Sequence, residues 1–276
     1  MQFSLTTLAS LATIVGTAVS VLALVQSKSW LILISLLIVC LSIVVVVYAR
    51  RKRLALESAS IVIEGHSIDS LNIANLRRRL NRTFFIQEAE HTARIEGEDL
   101  EITWRYAGYC RAETASAMEF SIDSDSGVSF EQLNCRAFDL GQDPEMKHPV
   151  QPLLIGPEGT SKKISVPLLR RVMRQEPFGI LLKATLPRCI KRGFSYYTST
   201  LAFAQDSVRR SVVRLQFVGA APAWVRIYEC LPQKPPALVK SLAPSRQEAG
   251  IAEYVDEAGE RPGNSARIYI FQRDNL

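Results

Sequence analysis

Basic residues cluster at three places in this sequence, and two of these clusters have aromatic neighbours. Arg105 and Arg111 flank Tyr106 and Tyr109. The other two clusters are Arg170, Arg171 and Arg174, and then Lys191 and Arg192 just ahead of Tyr196 and Tyr197. Arginine beside aromatic rings suits the binding of phosphates and of stacked bases. We therefore predict that these seven basic residues contact a ligand if the fold brings them together; the alternative for each cluster is an ordinary solvated surface.

Residue patterns for catalysis are weak. The stretch "GPEGTSKK" lacks the spacing of a phosphate-binding loop and lies between strand-like segments, so we interpret it as a turn. The three histidines, His66, His91 and His148, have no partner at a spacing typical of a metal site or a triad, and no C-x-x-C occurs. We predict no enzyme, no metal and no cofactor, although a membrane-bound enzyme with a cleft of titratable residues stays open.

The charge is unevenly distributed along the 276 residues. The chain has 33 basic and 27 acidic residues, but residues 1–53 contain five basic residues and no acidic ones. The remainder therefore has 28 basic and 27 acidic residues, a net charge of +1. A duplex-binding protein usually has a domain-wide basic excess, so duplex nucleic acid is not expected as a partner.

Two apolar runs fill the first fifty residues. Residues 3–25 and 30–48 carry no charge, and each is long enough for a helix that crosses the hydrocarbon core of a membrane. Only "QSKS" separates them, so we predict a transmembrane hairpin over residues 1–53 that includes its basic flank. A cleaved signal peptide is the less favoured alternative for the first run, since the positive n-region is missing.

The basic flank predicts the orientation. Basic residues near the ends of spans favour the cytoplasmic side. The flank consists of Arg50, Arg51, Lys52 and Arg53, which we expect to contact lipid head groups. The prediction is a protein of the inner membrane with both termini in the cytosol, where Cys110, Cys135, Cys189 and Cys230 would be free thiols.

Five hydroxyl residues of the first run follow heptad spacing. They are Thr6, Ser10, Thr13, Thr17 and Ser20. This spacing places all five on one face of a helix. They would form either a seam for packing helices or, in an oligomer, the lining of a narrow polar path.

The rest of the chain divides into a connector and a β-rich domain. Residues 54–82 are predicted to be a helical juxtamembrane connector. From residue 83 onward, alternation in segments such as "LEITWRY", "KKISVPLL" and "ARIYIFQ" predicts strands. We expect residues 83–276 to form a mainly antiparallel, immunoglobulin-like sandwich or barrel, with a long loop at about 232–266. The fold class is thus membrane-anchored α+β.

Two spans followed by a cytosolic β-domain resemble, in their order of parts alone, the two-transmembrane bacterial antiphage effectors. That resemblance implies a homo-oligomeric, channel-forming membrane effector whose β-domain binds a nucleotide or oligonucleotide. It transfers no site residue, because no motif of that family is matched. The alternative function is a non-enzymatic membrane tether whose sandwich binds a partner protein.

Overall fold

A computed structural model describes residues 37–45, 47–48, 61–68, 80–123, 127–141, 146–156, 161–191, 193–232 and 234–273. Residues 37–45 and 47–48 are helical, and the other described elements are strands or turns. In chain order the strands are β1 (Ile61–Ile63), β2 (His66–Ile68), β3 (Phe84–Glu96), β4 (Asp99–Cys110), β5 (Thr114–Asp123), β6 (Arg136–Asp139), β7 (His148–Val150), β8 (Leu153–Leu154), β9 (Ser161–Met173), β10 (Pro177–Leu186), β11 (Gly193–Val208), β12 (Arg210–Val218), β13 (Val225–Cys230), β14 (Ala237–Leu242), β15 (Arg246–Glu248), β16 (Ile251–Ala258) and β17 (Arg261–Arg273). The chain divides into two compact units, residues 1–59 and 60–276.

The second unit is built from one large sheet and three small ones. The large sheet has eight strands in the order β15-β16-β12-β3-β4-β10-β6-β7, and its neighbours run antiparallel except for the parallel pair β3 and β12. A four-stranded sheet has the order β11-β17-β13-β14, and a three-stranded sheet has the order β5-β9-β8. Strands β1 and β2 form a separate hairpin.

One continuous apolar core joins the inward faces of the three larger sheets. Alternate residues along each strand point inward, as the period of two dictates. Examples are Ile102 of β4, Ile164 of β9, Leu215 of β12 and Phe271 of β17, all buried in this core. The eight-stranded sheet therefore packs against the other two sheets, and this packing fixes the positions of the strand ends.

Charged residues lie within this core and connect the sheets. Asp256 of β16 is 1% exposed. Its carboxylate accepts hydrogen bonds from Arg267 Nη1 (2.8 Å) and Tyr269 Oη (2.7 Å) on β17, and pairs with Lys240 Nζ (2.6 Å) on β14. Burial raises the pKa of Asp256, but the hydrogen bonds from Lys240 and Tyr269 and the charge of Arg267 outweigh it and lower the pKa below its usual value. The carboxylate is therefore held ionised between the two sheets.

The described residues correct the predicted membrane anchor. The first predicted span lies outside the described residues, as do residues 30–36 of the second. Within the described ranges, no helix is long and apolar enough to cross a membrane. The predicted fold class, a membrane-anchored α+β protein with a two-helix hairpin, is therefore wrong for the described part of the chain, which is almost entirely β-strand. The predicted location in the inner membrane, with cytosolic termini, depended on that hairpin and is corrected with it.

The β-rich part also differs from the prediction in detail. The larger sheet has eight strands and a parallel pair, which is not an immunoglobulin-like arrangement. Strands β1 and β2 both lie within the predicted helical connector of residues 54–82, while residues 69–79 lie outside the described ranges. Strands β14, β15, β16 and the start of β17 occupy the predicted loop at 232–266. The alternation of apolar and polar residues is not evident in the sequence of this segment, because several of its inward residues are polar, including Asp256, Arg261 and Ser265.

Gly108 permits a close approach of β4 to a bulge in β3. The pairing of these strands shifts between Ile86 and Glu88. A Cβ at position 108 would lie 1.9 Å from the carbonyl oxygen of Phe85, a distance that no side chain tolerates. Any larger residue at this position must displace the bulge.

We expect Gly108→Ala to lower the free energy of unfolding by about 1–3 kcal/mol, the usual cost of overpacking. Urea unfolding followed by tryptophan fluorescence measures this. Gly259→Ala is the matched control, because a Cβ there meets no atom within 4 Å. Equal stability of the two variants would contradict the close approach.

Candidate functional site

A pocket of about 470 Å³ opens where several strands end together. Strands β4 and β9 end here, β10 begins, and β11 breaks its pairing with β17 between Ala202 and Ser207. The residues that line the pocket are Phe85, Tyr109, Cys110, Arg111, Arg174, Gln175, Ala204, Gln205 and Asp206. Two of the seven basic residues predicted to bind a ligand, Arg111 and Arg174, are therefore brought to one cavity.

An aromatic pair forms one wall of the pocket. Phe85 on β3 and Tyr109 on β4 are direct cross-strand partners. Their rings stack with centroids 4.6 Å apart and planes 15° from parallel. Their chain neighbours Phe84 and Cys110 point into the core, so alternation directs Phe85 and Tyr109 to the opposite face of the sheet. Both rings are half-buried, which leaves part of each accessible.

Arg111 follows directly after β4, and a hydrogen bond to β11 holds its side chain. Its Nη1 donates a hydrogen bond of 2.7 Å to the carbonyl oxygen of Ala204. A guanidinium has five N–H donors, so this bond leaves donors for a ligand. The side chain is exposed, and its position at the rim keeps its charge available to solutes.

Arg174 comes from the turn between β9 and β10, and backbone bonds tie this turn to the end of β4. The N–H of Arg174 donates to the Glu113 carbonyl (3.1 Å), and the N–H of Gln175 donates to the Cys110 carbonyl (2.8 Å). These bonds place the turn beside Arg111, although the two arginines are far apart in sequence. The pocket lining thus includes two arginines and one acidic residue, Asp206.

Gln205 lines the pocket and closes a gap between two strands. Its Oε1 accepts from the N–H of Ile86 (2.8 Å), and its Nε2 donates to the carbonyl oxygens of Ile86 (2.7 Å) and Ser207 (2.5 Å). The side-chain amide therefore takes the place of a peptide group between β3 and β11. The Gln205 side chain is therefore held in place, since all three hydrogen bonds are made to backbone atoms.

Cys110 is a structural part of the wall. Burial raises the pKa of this thiol, and its Sγ donates to the Ala112 carbonyl at 3.4 Å. A nucleophilic cysteine needs a lowered pKa, so Cys110 is not a candidate nucleophile.

The other predicted ligand contacts lie elsewhere or are paired. Arg105 binds Glu90 (3.0 Å) on the face of the large sheet, and Arg170 binds Glu176 (2.9 Å). Arg171 and Lys191 are exposed and do not line this pocket. Arg192 lies outside the described residues, as do the five hydroxyl residues of the first apolar run and Arg50, Arg51, Lys52 and Arg53. Their assigned roles stay predictions.

A buried histidine network is not among the sites predicted from the sequence. His91 Nδ1 lies 2.9 Å from Ser199 Oγ, and His91 Nε2 lies 2.9 Å from Tyr106 Oη. The guanidinium of Arg261 donates to Ser211 Oγ at 3.1 Å and to Ser199 Oγ at 3.5 Å. No spacing in the sequence indicates this, because the members lie on five strands of two sheets.

This network has the elements of a nucleophile and a base but no access for a substrate. Ser199 and His91 are 1% exposed and Tyr106 is 5% exposed. Burial, together with the charge of Arg261, lowers the pKa of His91 to about 3. The imidazole is therefore neutral at ordinary pH, and the network serves to join the two sheets.

The described residues contain no group of three or more His, Cys, Asp or Glu side chains that could hold a metal ion. This finding concerns the described ranges only.

Comparisons with known proteins show limited likeness. No protein-family model and no curated protein matches the chain. Among solved structures, an M1 zinc metallopeptidase from Deinococcus radiodurans is similar, with 14% identity and a TM-score of 0.45 over 69% of this chain and 43% of that chain. A mutant of that enzyme gives 15% identity and a TM-score of 0.44 over 69% of this chain and 42% of that chain. The chain thus spans less than half the length of these proteins, and TM-scores below 0.5 support no inference about its activity.

The predicted functions, a channel-forming membrane effector or a membrane tether, are wrong for the described residues. A channel-forming membrane effector and a membrane tether both require a membrane-spanning segment, and the described residues contain no helix that could serve as one. The order-of-parts resemblance to antiphage effectors is not tested by the metallopeptidase likeness. That the chain is not an enzyme stays a prediction.

His91 makes stability depend on pH. Well above pH 6.5 the side chain is neutral in both the folded and the unfolded chain, so its full contribution is present. Between pH 6.5 and about 3 only the unfolded chain binds the proton, so stability is lost as the pH falls. We expect the wild type to lose about 2 kcal/mol more than His91→Gln between pH 6.5 and 4.5, since the unfolded imidazole is already half protonated at pH 6.5. Urea unfolding at both pH values measures the difference, and parallel losses would contradict a neutral buried His91.

Proposed function

We propose that residues 60–276 form a binding module whose pocket takes a small ligand with a phosphate group and a planar ring, as a nucleotide has. One observation carries this proposal: Arg111, Arg174 and the stacked pair of Phe85 and Tyr109 line the same cavity. Each feature alone is common on protein surfaces. Their convergence at one concave site favours a ligand that combines both chemistries.

The two guanidinium groups suit the phosphate. The planar fork of arginine matches two phosphate oxygens, and such charge-assisted bonds are stronger than neutral ones. The Ala204 carbonyl orients Arg111 in advance, and the backbone bonds of the β9–β10 turn position Arg174. Such pre-ordering reduces the entropy lost on binding.

The rings of Phe85 and Tyr109 suit the planar part. Stacking of a base on an aromatic side chain contributes about 1–3 kcal/mol and depends little on base identity. Asp206 and Gln175 lie at the same cavity and can accept or donate hydrogen bonds to the ring edge. The volume of about 470 Å³ falls within the usual range for small-molecule sites.

The same residues favour binding over catalysis. The pocket lining includes no histidine, and the Cys110 thiol is kept protonated by burial. The pair of Ser199 and His91 is buried away from solvent. We therefore propose a non-enzymatic module.

Isothermal titration calorimetry of the full chain with AMP, ADP, GMP and CMP tests the proposal. We expect Arg111→Ala and Arg174→Ala each to weaken binding about 10-fold or more, because each removes a hydrogen-bonded charge from the phosphate. Arg171→Ala is the matched control, since Arg171 is exposed, lies near Arg174 in sequence and does not line the pocket.

Inorganic pyrophosphate separates the two halves of the site in the same experiment. Tyr109→Leu should weaken nucleotide binding and leave pyrophosphate binding unchanged, whereas the arginine variants should weaken both. No binding of any of these ligands, or equal losses for Arg171→Ala and Arg174→Ala, would overturn the proposal.

A further inference from the structure

The polar side chains that line the pocket fall into two groups. Those of Gln205 and Arg111 are engaged, because they hydrogen-bond to backbone atoms of neighbouring strands. Those of Arg174, Gln175 and Asp206 are exposed and make no hydrogen bond or ion pair to another described residue. The second group is therefore open to a ligand, and it contains an amide and a carboxylate besides the guanidinium.

Gln175 lies at a strained position of the β9–β10 turn. Its φ is 68°, in the left-handed region where glycine is the usual residue. The Gln175 N–H donates to the Cys110 carbonyl at 2.8 Å, which holds the turn in this conformation. Strained residues of this kind concentrate at ligand sites. A glutamine retained where glycine would be unstrained favours a use for its side-chain amide in the pocket.

Asp206 is the acidic residue of the pocket lining, and it needs donors from a ligand. A carboxylate has acceptors only, so it repels the phosphate that Arg111 and Arg174 are proposed to bind. Asp206 lies two residues beyond Ala204 on β11, about 6–7 Å along the strand from the carbonyl that orients Arg111. A ligand whose phosphate lies at Arg111 therefore has room to place its planar part toward Asp206.

We propose that the pocket prefers guanine nucleotides and that Asp206 and Gln175 determine this preference. The inference rests on the proposed function and specifies its ligand. Guanine has two adjacent donors, N1–H and the exocyclic N2 amine, which one carboxylate accepts together in charge-assisted bonds. The O6 acceptor lies beside them, where an amide such as that of Gln175 can donate to it.

The other purine bases match this pair of side chains less well. Adenine has a donor at N6 but an acceptor at N1, and this lone pair faces the carboxylate without a hydrogen. Hypoxanthine keeps N1–H and O6 but lacks the N2 amine. The expected order of affinity is therefore GMP, then IMP, then AMP. Adenine nucleotides still bind through the phosphate and the aromatic pair, but more weakly.

Isothermal titration calorimetry of the full chain with GMP, IMP, AMP and inorganic pyrophosphate tests this preference. We expect GMP to bind at least 10-fold more tightly than AMP, because a bidentate contact to a base edge discriminates by about this factor or more. Asp206→Asn should lower the GMP-to-AMP affinity ratio at least 10-fold without weakening pyrophosphate binding. The control is Glu131→Gln, which removes the charge of an exposed residue outside the pocket lining and should leave the ratio unchanged.

Gln175→Gly tests the amide separately. Glycine adopts this φ without strain, so the turn keeps its conformation while the amide is lost. We expect GMP and IMP to bind about 5-fold more weakly or less, since both lose the contact at O6, and pyrophosphate to bind as in the wild type. Unchanged GMP and IMP binding would remove Gln175 from the site.

The same titrations separate the two claims. If neither the nucleotides nor pyrophosphate bind, the proposed function and this inference both fail. If GMP and AMP bind equally well, or if Asp206→Asn keeps the wild-type ratio, the pocket stands as a nucleotide site and the guanine preference is overturned. Near-ultraviolet circular dichroism checks that the variants fold, which the exposed positions of Gln175 and Asp206 favour.

Discussion

The structure of residues 60–276 depends on one desolvated carboxylate. Asp256 belongs to the eight-stranded sheet, while its partners Arg267, Tyr269 and Lys240 belong to the four-stranded sheet. Removing one partner of a buried pair typically costs about 3–5 kcal/mol, because the remaining charge is left without compensation. Only one relative position of the two sheets satisfies this cluster. The contacts of His91 with Ser199 and of Arg261 with Ser211 join the same two sheets and reinforce that position.

The pocket is a consequence of this fixed arrangement. Strand β17 is held against β16, and β11 pairs with β17. This pairing is interrupted after Ala202. The released segment contains Gln205, whose amide then binds the backbone of Ile86 on the other sheet. This places Ala204 where its carbonyl receives Arg111. The cavity therefore lies at a seam between sheets, and its basic and aromatic groups come from separate segments of the chain.

Part of this arrangement can be predicted from the sequence. Alternating segments such as "LEITWRY" and "ARIYIFQ" lie within β4 and β17. One face of β4 packs in the main apolar core, whereas β17 is buried on both faces. Strand β16 was missed since its inward residues include Asp256, whose partners lie on other strands. Arg111 and Arg174 are candidate ligand contacts by residue type alone. That they lie at one pocket follows only from the structure, in which the β9–β10 turn is hydrogen-bonded to Cys110. Residues 37–48 are apolar in sequence, but the membrane-anchored fold predicted from them is wrong for the described residues.

Photoaffinity labelling of the full chain tests the central claim, that the pocket binds a nucleotide-type ligand, most directly. An 8-azidoadenine nucleotide, irradiated with the protein and mapped by mass spectrometry, should label peptides that contain Tyr109 or Gln175. Excess unlabelled nucleotide should abolish the labelling and Arg174→Ala should reduce it strongly, while Arg171→Ala should leave it unchanged. Labelling that appears only on other peptides, or that excess nucleotide does not reduce, would contradict the account.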